Sequence, residues 1–279
     1  MLFSNVLFNI GLEFLPIDTK KYDVSIDDLQ LDKEIIPFFD ISLNRYSKEA
    51  LRTLFYEFPA DQTEALERQQ IIQGFISSLS AIKGLYSYKP DIIDCYDFCK
   101  NFQVDQADLF RSIVNFKIGH WLDRKRTEQL SAKFFQLSFL MDRIYQHYFQ
   151  RLKIEGFPVS FARQITTMVD LLNDMRGLVK EGGLGGSGRL AGKMNFRILK
   201  KMASFFDKNK FDAFWNNFFL FEAYLSISTI AAEKQLSIPT FVQAGIKLDE
   251  FYHPLLRDPV KNSIDLKHNV VLLTGPNMS

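Results

Sequence analysis

The chain has 279 residues, 47% of them hydrophobic and 24% charged, and a formal net charge of +1. These values fit a globular protein with room for one large or two ordinary domains and a sizeable core. A bulk basic surface for nucleic acid is excluded, although a local basic patch is compatible with the balance.

No apolar run approaches the roughly 20 residues that a membrane span needs. The apolar N-terminus, Met1 to Phe14, lacks the basic leader and small-residue cleavage site of a signal peptide. A soluble, cytoplasmic protein with no membrane partner is expected. Only two cysteines occur, Cys95 and Cys99, four apart in a stretch that reads as helix. With no second pair and no histidine beside them, they read as small thiols in a reducing compartment, and no metal site is expected.

Asp27 to Asp32 is acidic and suited to open a helix by aspartate capping, with Pro37-Phe38-Phe39 interrupting it. Ser47 then reads as a cap, followed by Ala50, Leu51, Leu54 and Phe55 at helical spacing. After the break at Pro59-Ala60-Asp61, Asp61 or Thr63 caps a second helix whose apolar side carries Leu66, Ile71, Ile72, Phe75 and Ile76. Ala81 to Phe102 is less regular, with Gly84 and Pro90 as breakers. Asp105 to Lys117 and Arg124 to Leu152 read as helices. In the second, Leu130, Phe134, Leu137, Met141, Ile144, Tyr148 and Leu152 recur at spacings of three and four. Its start carries Arg124, Lys125 and Arg126, a candidate phosphate contact, although a solvated helix face is the favoured reading.

Gly156-Phe157-Pro158 makes a turn, and Ser160 to Val179 returns to helix. Gly183, Gly185 and Gly188 satisfy G-x-G-x-x-G, but helical rather than strand-like sequence precedes them. A flexible inter-helix loop is therefore expected, not a dinucleotide turn. Met194 to Phe206 and Phe211 to Lys234 complete the helical part. Phe211, Phe214, Trp215, Phe218, Phe219 and Leu225 form a stripe that reads as core in preference to a base-stacking platform. Pro239 then stops the helix. Ile246 to Asp249 and Phe251 to Leu256 look like strand and turn.

The chain closes on Val270-Val271-Leu272-Leu273-Thr274-Gly275-Pro276-Asn277-Met278-Ser279. A β-branched and leucine-rich run emptying into a glycine turn is how a buried parallel strand meets a phosphate-binding loop. Thr274-Gly275-Pro276-Asn277-Met278 resembles the P-loop opening of the MutS family of DNA mismatch-repair ATPases. Three further stretches resemble that family in the same order. They are Ala50 to Pro59 with Glu67-Arg68-Gln69, Phe221 to Glu233 followed by Ile238-Pro239, and His253-Pro254 with Val260 to Leu266. Tyr252 stands where the family usually has Arg before His-Pro. Pro259 stands where many members carry an aromatic residue that stacks on adenine.

The resemblance implies a mainly α fold, with a helical core and lever domain over residues 1–237 feeding into the first β-strands of an ABC-type ATPase domain over 238–279. It implies a partial nucleotide site made of Thr274, Gly275, Pro276, Asn277, Met278 and Ser279, with Asn262 on the adenine side and His253 nearby. ATP and Mg²⁺ would be the cofactors of the complete protein, double-stranded DNA its partner, and the ATPase domain its homodimer interface. The loop's Lys and Ser/Thr do not appear before Ser279. The chain alone is therefore expected to turn over no ATP, and the break inside the loop points to a trimmed chain. The family's Phe-x-Glu mismatch-reading motif is not found near the N-terminus, and there is no room for a full clamp domain. The competing class is a non-enzymatic helical scaffold with a degenerate P-loop.

Overall fold

The computed structural model describes residues 30–41, 43–82, 88–102, 113–181, 200, 208–242, 245–256 and 258–266. Among them the chain is mainly helical, with one small two-stranded sheet near its C-terminal end. Of the expected helix Asp105 to Lys117, residues 113–117 are helical and the rest lies outside the described residues, as do the expected helix Met194 to Phe206 apart from residue 200, the glycine-rich stretch 182–188, Asp27 and Asp28, and the strand 270–273.

A single π-helical turn, Leu31–Ile35, runs directly into α1, Ile36–Phe39. Pro37 lies inside this continuous helical segment, just past the π-helical turn, and the segment ends two residues later at Phe39. α2 spans Arg45–Tyr56 and is capped by Asn44, which accepts from the N–H groups of Tyr46 and Ser47. Ser47 is therefore not the cap; it lies inside the first turn and is fully buried. α3, Gln62–Ser78, is capped by Asp61, which accepts from Glu64 N–H at 2.9 Å. Ile71 and Phe75 face the core as expected, but Leu66 stays 39% exposed.

α4 spans Lys89–Asn101, with Pro90 in its opening turn rather than breaking it. Cys95 and Cys99 share its buried face. α5 spans Ile113–Leu122 and α6 Arg124–Ile144, separated by Asp123, which caps α6 through Arg126 N–H at 2.9 Å. A π-helical turn, Tyr145–Phe149, extends α6. Leu130, Phe134, Leu137, Met141, Ile144 and Tyr148 are all buried, as their spacing predicts. A 3₁₀ turn at Ile154–Gly156 leads into α7, Val159–Glu181.

The helical body is organised around α8, Lys208–Glu233, which packs against α2, α3, α4 and α7. Phe211, Phe214, Trp215, Phe218, Phe219 and Phe221 are each at most 2% exposed. Fully burying one such ring contributes about 1.5–3 kcal/mol, so this stripe dominates the core and leaves no ring free to stack on a base. Phe221 meets Phe75 of α3 edge-on at 4.8 Å, and Phe219 meets Tyr96 of α4 at 5.1 Å. Small residues serve close approach further along. Ser226 Oγ donates to the Phe39 carbonyl and accepts from Ile41 N–H at 3.1 Å, which ties the α1–α2 connection to α8.

The end of α8 is set by backbone geometry before the chain reaches Pro239. Gln235 has φ 53°, and Leu236 N–H reaches back to the Ala231 carbonyl at 2.8 Å. This is a Schellman-type stop with glutamine in the left-handed position that glycine usually takes. Pro239 lies on the extended segment beyond it. β1, Ile246–Phe251, then pairs antiparallel with β2, Asn262–Leu266. Ile246 opposes Leu266 and Leu248 opposes Ile264, while Lys247 opposes Asp265 on the other face. A bulge between Leu248 and Phe251 carries Glu250 at φ 51°. At the sheet's base Gly245 takes φ 79°, and a Cβ there would sit 2.9 Å from the Leu266 carbonyl oxygen, so only glycine fits without strain.

Candidate functional site

The expected phosphate loop, Thr274, Gly275, Pro276, Asn277, Met278 and Ser279, lies outside the described residues. The two other nucleotide-side candidates fall on the hairpin. His253 opens its connecting loop, and its carbonyl accepts from Leu256 N–H at 3.1 Å. Pro254 therefore occupies the second position of a turn, where its fixed φ suits the geometry. The His253 side chain is exposed. Asn262 begins β2 opposite Phe251, two residues before His253, so the hairpin brings both candidates to its loop end. The Asn262 amide donates to the Val260 carbonyl at 3.2 Å and remains exposed. Neither residue is locked into a buried network.

Arg124, Lys125 and Arg126 all stand exposed at the α5–α6 corner. Arg124 Nε pairs with Glu128 one turn on at 2.8 Å, yet its side chain is still 76% exposed. Such a surface pair contributes little to stability and leaves the guanidinium reachable. Immediately before them, Trp121 is 84% and Leu122 70% exposed. The sequence reading passed over Trp121. The available signal was the apolar set Val114, Ile118, Trp121 and Leu122 at spacings of three and four, joined to a basic run.

Among the described residues, two side-chain bonds link the helical body to the segment and hairpin that follow it. Arg68, on α3, donates to the carbonyls of Leu54 at 3.2 Å and Glu57 at 2.7 Å, and pairs with Glu64 at 2.7 Å. It thereby braces the turn between α2 and α3. The Ala60 N–H and the Arg68 guanidinium together hold the Glu64 carboxyl below the usual carboxylate range. The next residue, Gln69, donates from Nε2 to the Pro239 carbonyl at 3.1 Å, across 170 positions in sequence. Tyr252 OH lies 3.4 Å from the Lys234 carbonyl at the end of α8. The Arg68-Gln69 pair thus bonds both the α2–α3 turn and the segment that leaves α8 for the sheet.

A second feature absent from the sequence reading is the Glu222 carboxyl at the heart of the body. It accepts from Ser47 Oγ at 2.5 Å, Asn44 Nδ2 at 2.9 Å and Tyr148 OH at 2.6 Å, joining α2, α8 and the turn after α6. Burial pushes its pKa up, against the lowering pull of the three donors. Burial likewise pushes the Cys95 thiol up to about 12 and the Cys99 thiol higher still, so both are unreactive packing groups in the folded chain.

Among the described residues, no group of three or more His, Cys, Asp or Glu side chains is placed to hold a metal ion. No described helix is long and apolar enough to cross a membrane. No family model, curated protein or solved structure matches this chain.

Proposed function

We propose that this chain is the helical core and lever portion of a MutS-like, ATP-dependent DNA-processing protein, joined to the opening strands of an ABC-type ATPase domain. The observation that carries the reading is the wording Thr274-Gly275-Pro276-Asn277-Met278, following His253-Pro254 and Asn262 in the family's order. Three features of the fold support it. The body is helical and stiffened by one long aromatic helix. That helix ends a short extended segment away from an antiparallel hairpin. The Arg68-Gln69 pair bonds the body to that segment.

In this reading the complete protein binds ATP and Mg²⁺. Backbone N–H groups of the loop begun by Gly275 cradle the phosphates, and Asn262 and His253 lie on the nucleotide side. Pro259 supplies no ring for adenine, so nucleotide affinity rests on the phosphates. The helical body passes the nucleotide state to duplex DNA held at Arg124, Lys125 and Arg126, and the protein pairs with a second copy through its ATPase domain. A scaffold without nucleic-acid function is the second reading, favoured by the net charge of +1 and by the engagement of Arg124 with Glu128.

Equilibrium binding of duplex DNA at about 50 and 200 mM salt separates the two, because a phosphate interface loses affinity steeply over that range. Binding that weakens with salt, and whose salt slope falls by about 1–3 in the combined Arg124→Ala, Lys125→Ala, Arg126→Ala variant, supports the DNA reading. No binding at the lower salt leaves the scaffold reading standing.

A further inference from the structure

The α5–α6 corner carries an aromatic residue that the duplex-phosphate reading does not use. Trp121 is 84% exposed, whereas Trp215, the other tryptophan, is fully buried in the core. A single exposed apolar residue is ordinary, but a contiguous exposed apolar patch marks an interaction site. Ile118, also exposed, lies three positions before Trp121 and four before the exposed Leu122, and Val114 lies one turn before Ile118, so the four share one helix face.

The charge around it is one-sided. From Ile113 to Glu128 the chain carries Lys117, Arg124, Lys125 and Arg126 against two acids, Asp123 and the Glu128 that pairs with Arg124. With a net charge of +1 for the whole chain, the remainder is net negative, so the corner concentrates the positive charge. Asp123 is itself committed to capping α6, where it accepts from Arg126 N–H. The four cations are exposed. An exposed ring flanked by cations complements a strand that offers bare base faces and a phosphate backbone together. A closed duplex presents phosphates and base edges but keeps its base faces stacked.

We infer that the α5–α6 corner is a binding site for single-stranded nucleic acid, with one base stacked on Trp121 and adjacent phosphates held by Lys117, Arg124, Lys125 and Arg126. This rests on the nucleic-acid reading above but adds a ligand class and a residue to it. A second copy of the chain is disfavoured as the occupant, because it would bring like charges together at this corner.

The probe is a fluorescein-labelled oligothymidylate, titrated by anisotropy alongside a duplex of equal length. Tight, salt-dependent binding of the single strand is expected, with quenching of the exposed tryptophan. Trp121→Ala should weaken oligothymidylate binding roughly 5- to 100-fold while leaving duplex affinity within about twofold. Trp121→Phe should restore most of the affinity and abolish the tryptophan quenching, because Trp215 is shielded. Unchanged single-strand affinity in Trp121→Ala overturns this inference while leaving the duplex reading intact. Failure to bind either nucleic acid overturns both. Binding of anionic phospholipid vesicles in place of oligothymidylate, lost in Trp121→Ala, assigns the corner to a lipid surface and also overturns it.

Discussion

Replacing Glu222 with alanine tests the best-defined polar feature of the body. The carboxyl takes hydrogen bonds from Ser47 Oγ, Tyr148 OH and Asn44 Nδ2 at 2.5, 2.6 and 2.9 Å. Alanine removes all three acceptor contacts. Asn44 keeps an outlet, since its amide also donates to Ser47 Oγ at 2.8 Å, but the Ser47 and Tyr148 hydroxyls both lose this acceptor. Each buried donor that loses its acceptor costs about 1–3 kcal/mol, which gives about 2–6 kcal/mol for two. Removing a desolvated carboxyl returns part of that, so the expected loss is about 2–4 kcal/mol. For a chain of this size that corresponds to a fall in Tm of about 4–16 °C. Glu222→Gln keeps the shape. Its carbonyl can accept from Ser47 and Asn44, and its NH₂ can donate to Tyr148, whose hydroxyl also accepts. The expected loss is under about 1.5 kcal/mol.

The two variants also differ in pH dependence. Burial raises the folded-state pKa of Glu222, so the folded chain holds this proton more tightly than the unfolded chain. The linked stabilisation is complete below the ordinary carboxylate range and is lost as pH rises through the raised value. Glu222→Gln has no such proton, so its stability relative to wild type should improve as pH rises through that window. Urea unfolding followed by tryptophan fluorescence across a pH series reads both quantities. An alanine loss below about 0.5 kcal/mol, or a glutamine variant as damaged as the alanine one, would refute the reasoning.

Three further outcomes follow from local geometry. With the Cys95 thiol pushed up to about 12 and Cys99 higher, a thiol-specific reagent at pH 8 should label neither residue in the folded chain and both on unfolding in urea, as mass spectrometry can follow. Ser226→Ala strands Ile41 N–H and the Phe39 carbonyl beneath α8, and should cost about 1–3 kcal/mol in denaturant titration. Gln235→Gly relieves a left-handed residue at the end of α8 and should raise stability by about 0.5–1 kcal/mol; a loss would mean that the turn is not left-handed in solution.

The helices were legible where apolar spacing was long and unbroken. Leu130 to Tyr148 and Phe211 to Leu225 occupy the core as their periods require, because a ring or branched chain at every third or fourth position leaves the helix no other face to bury. The errors came from residues with two uses. Pro90 looks like a breaker in sequence, but proline also suits the first turn of a helix, and only the position of the start distinguishes the two. Ser47 looks like a cap because the true cap, Asn44, stands three residues earlier, and the serine hydroxyl is spent on Glu222 instead. Contacts across 170 or more positions, such as Gln69 with Pro239 and Asn44 with Glu222, leave no local trace at all. The Trp121 corner was half legible: its cations stood out, but the exposure of its ring depends on how much of α5 the rest of the body covers.

Gln69 is placed to restrain the segment between the body and the hairpin. The transducer role proposed above would need a stiff body and a joint whose strength is comparable to what a ligand can shift. The stiffness is in the aromatic packing of α8 against α2, α3, α4 and α7. At the joint, residues 236–242 run without regular structure and, apart from Leu236 and Ser237's neighbour Ile238, present mostly exposed side chains, so the Gln69 bond to Pro239 is a principal restraint there. An exposed amide–carbonyl bond contributes about 0.5–1.5 kcal/mol, small against global stability but large for a local opening. Gln69→Ala should therefore leave the urea midpoint nearly unchanged while speeding tryptic cleavage after Lys234 roughly 2- to 10-fold under native conditions. Cleavage at the wild-type rate would show that the segment is held by other contacts. Faster cleavage together with a lowered midpoint would place Gln69 in the folding core instead of at the joint.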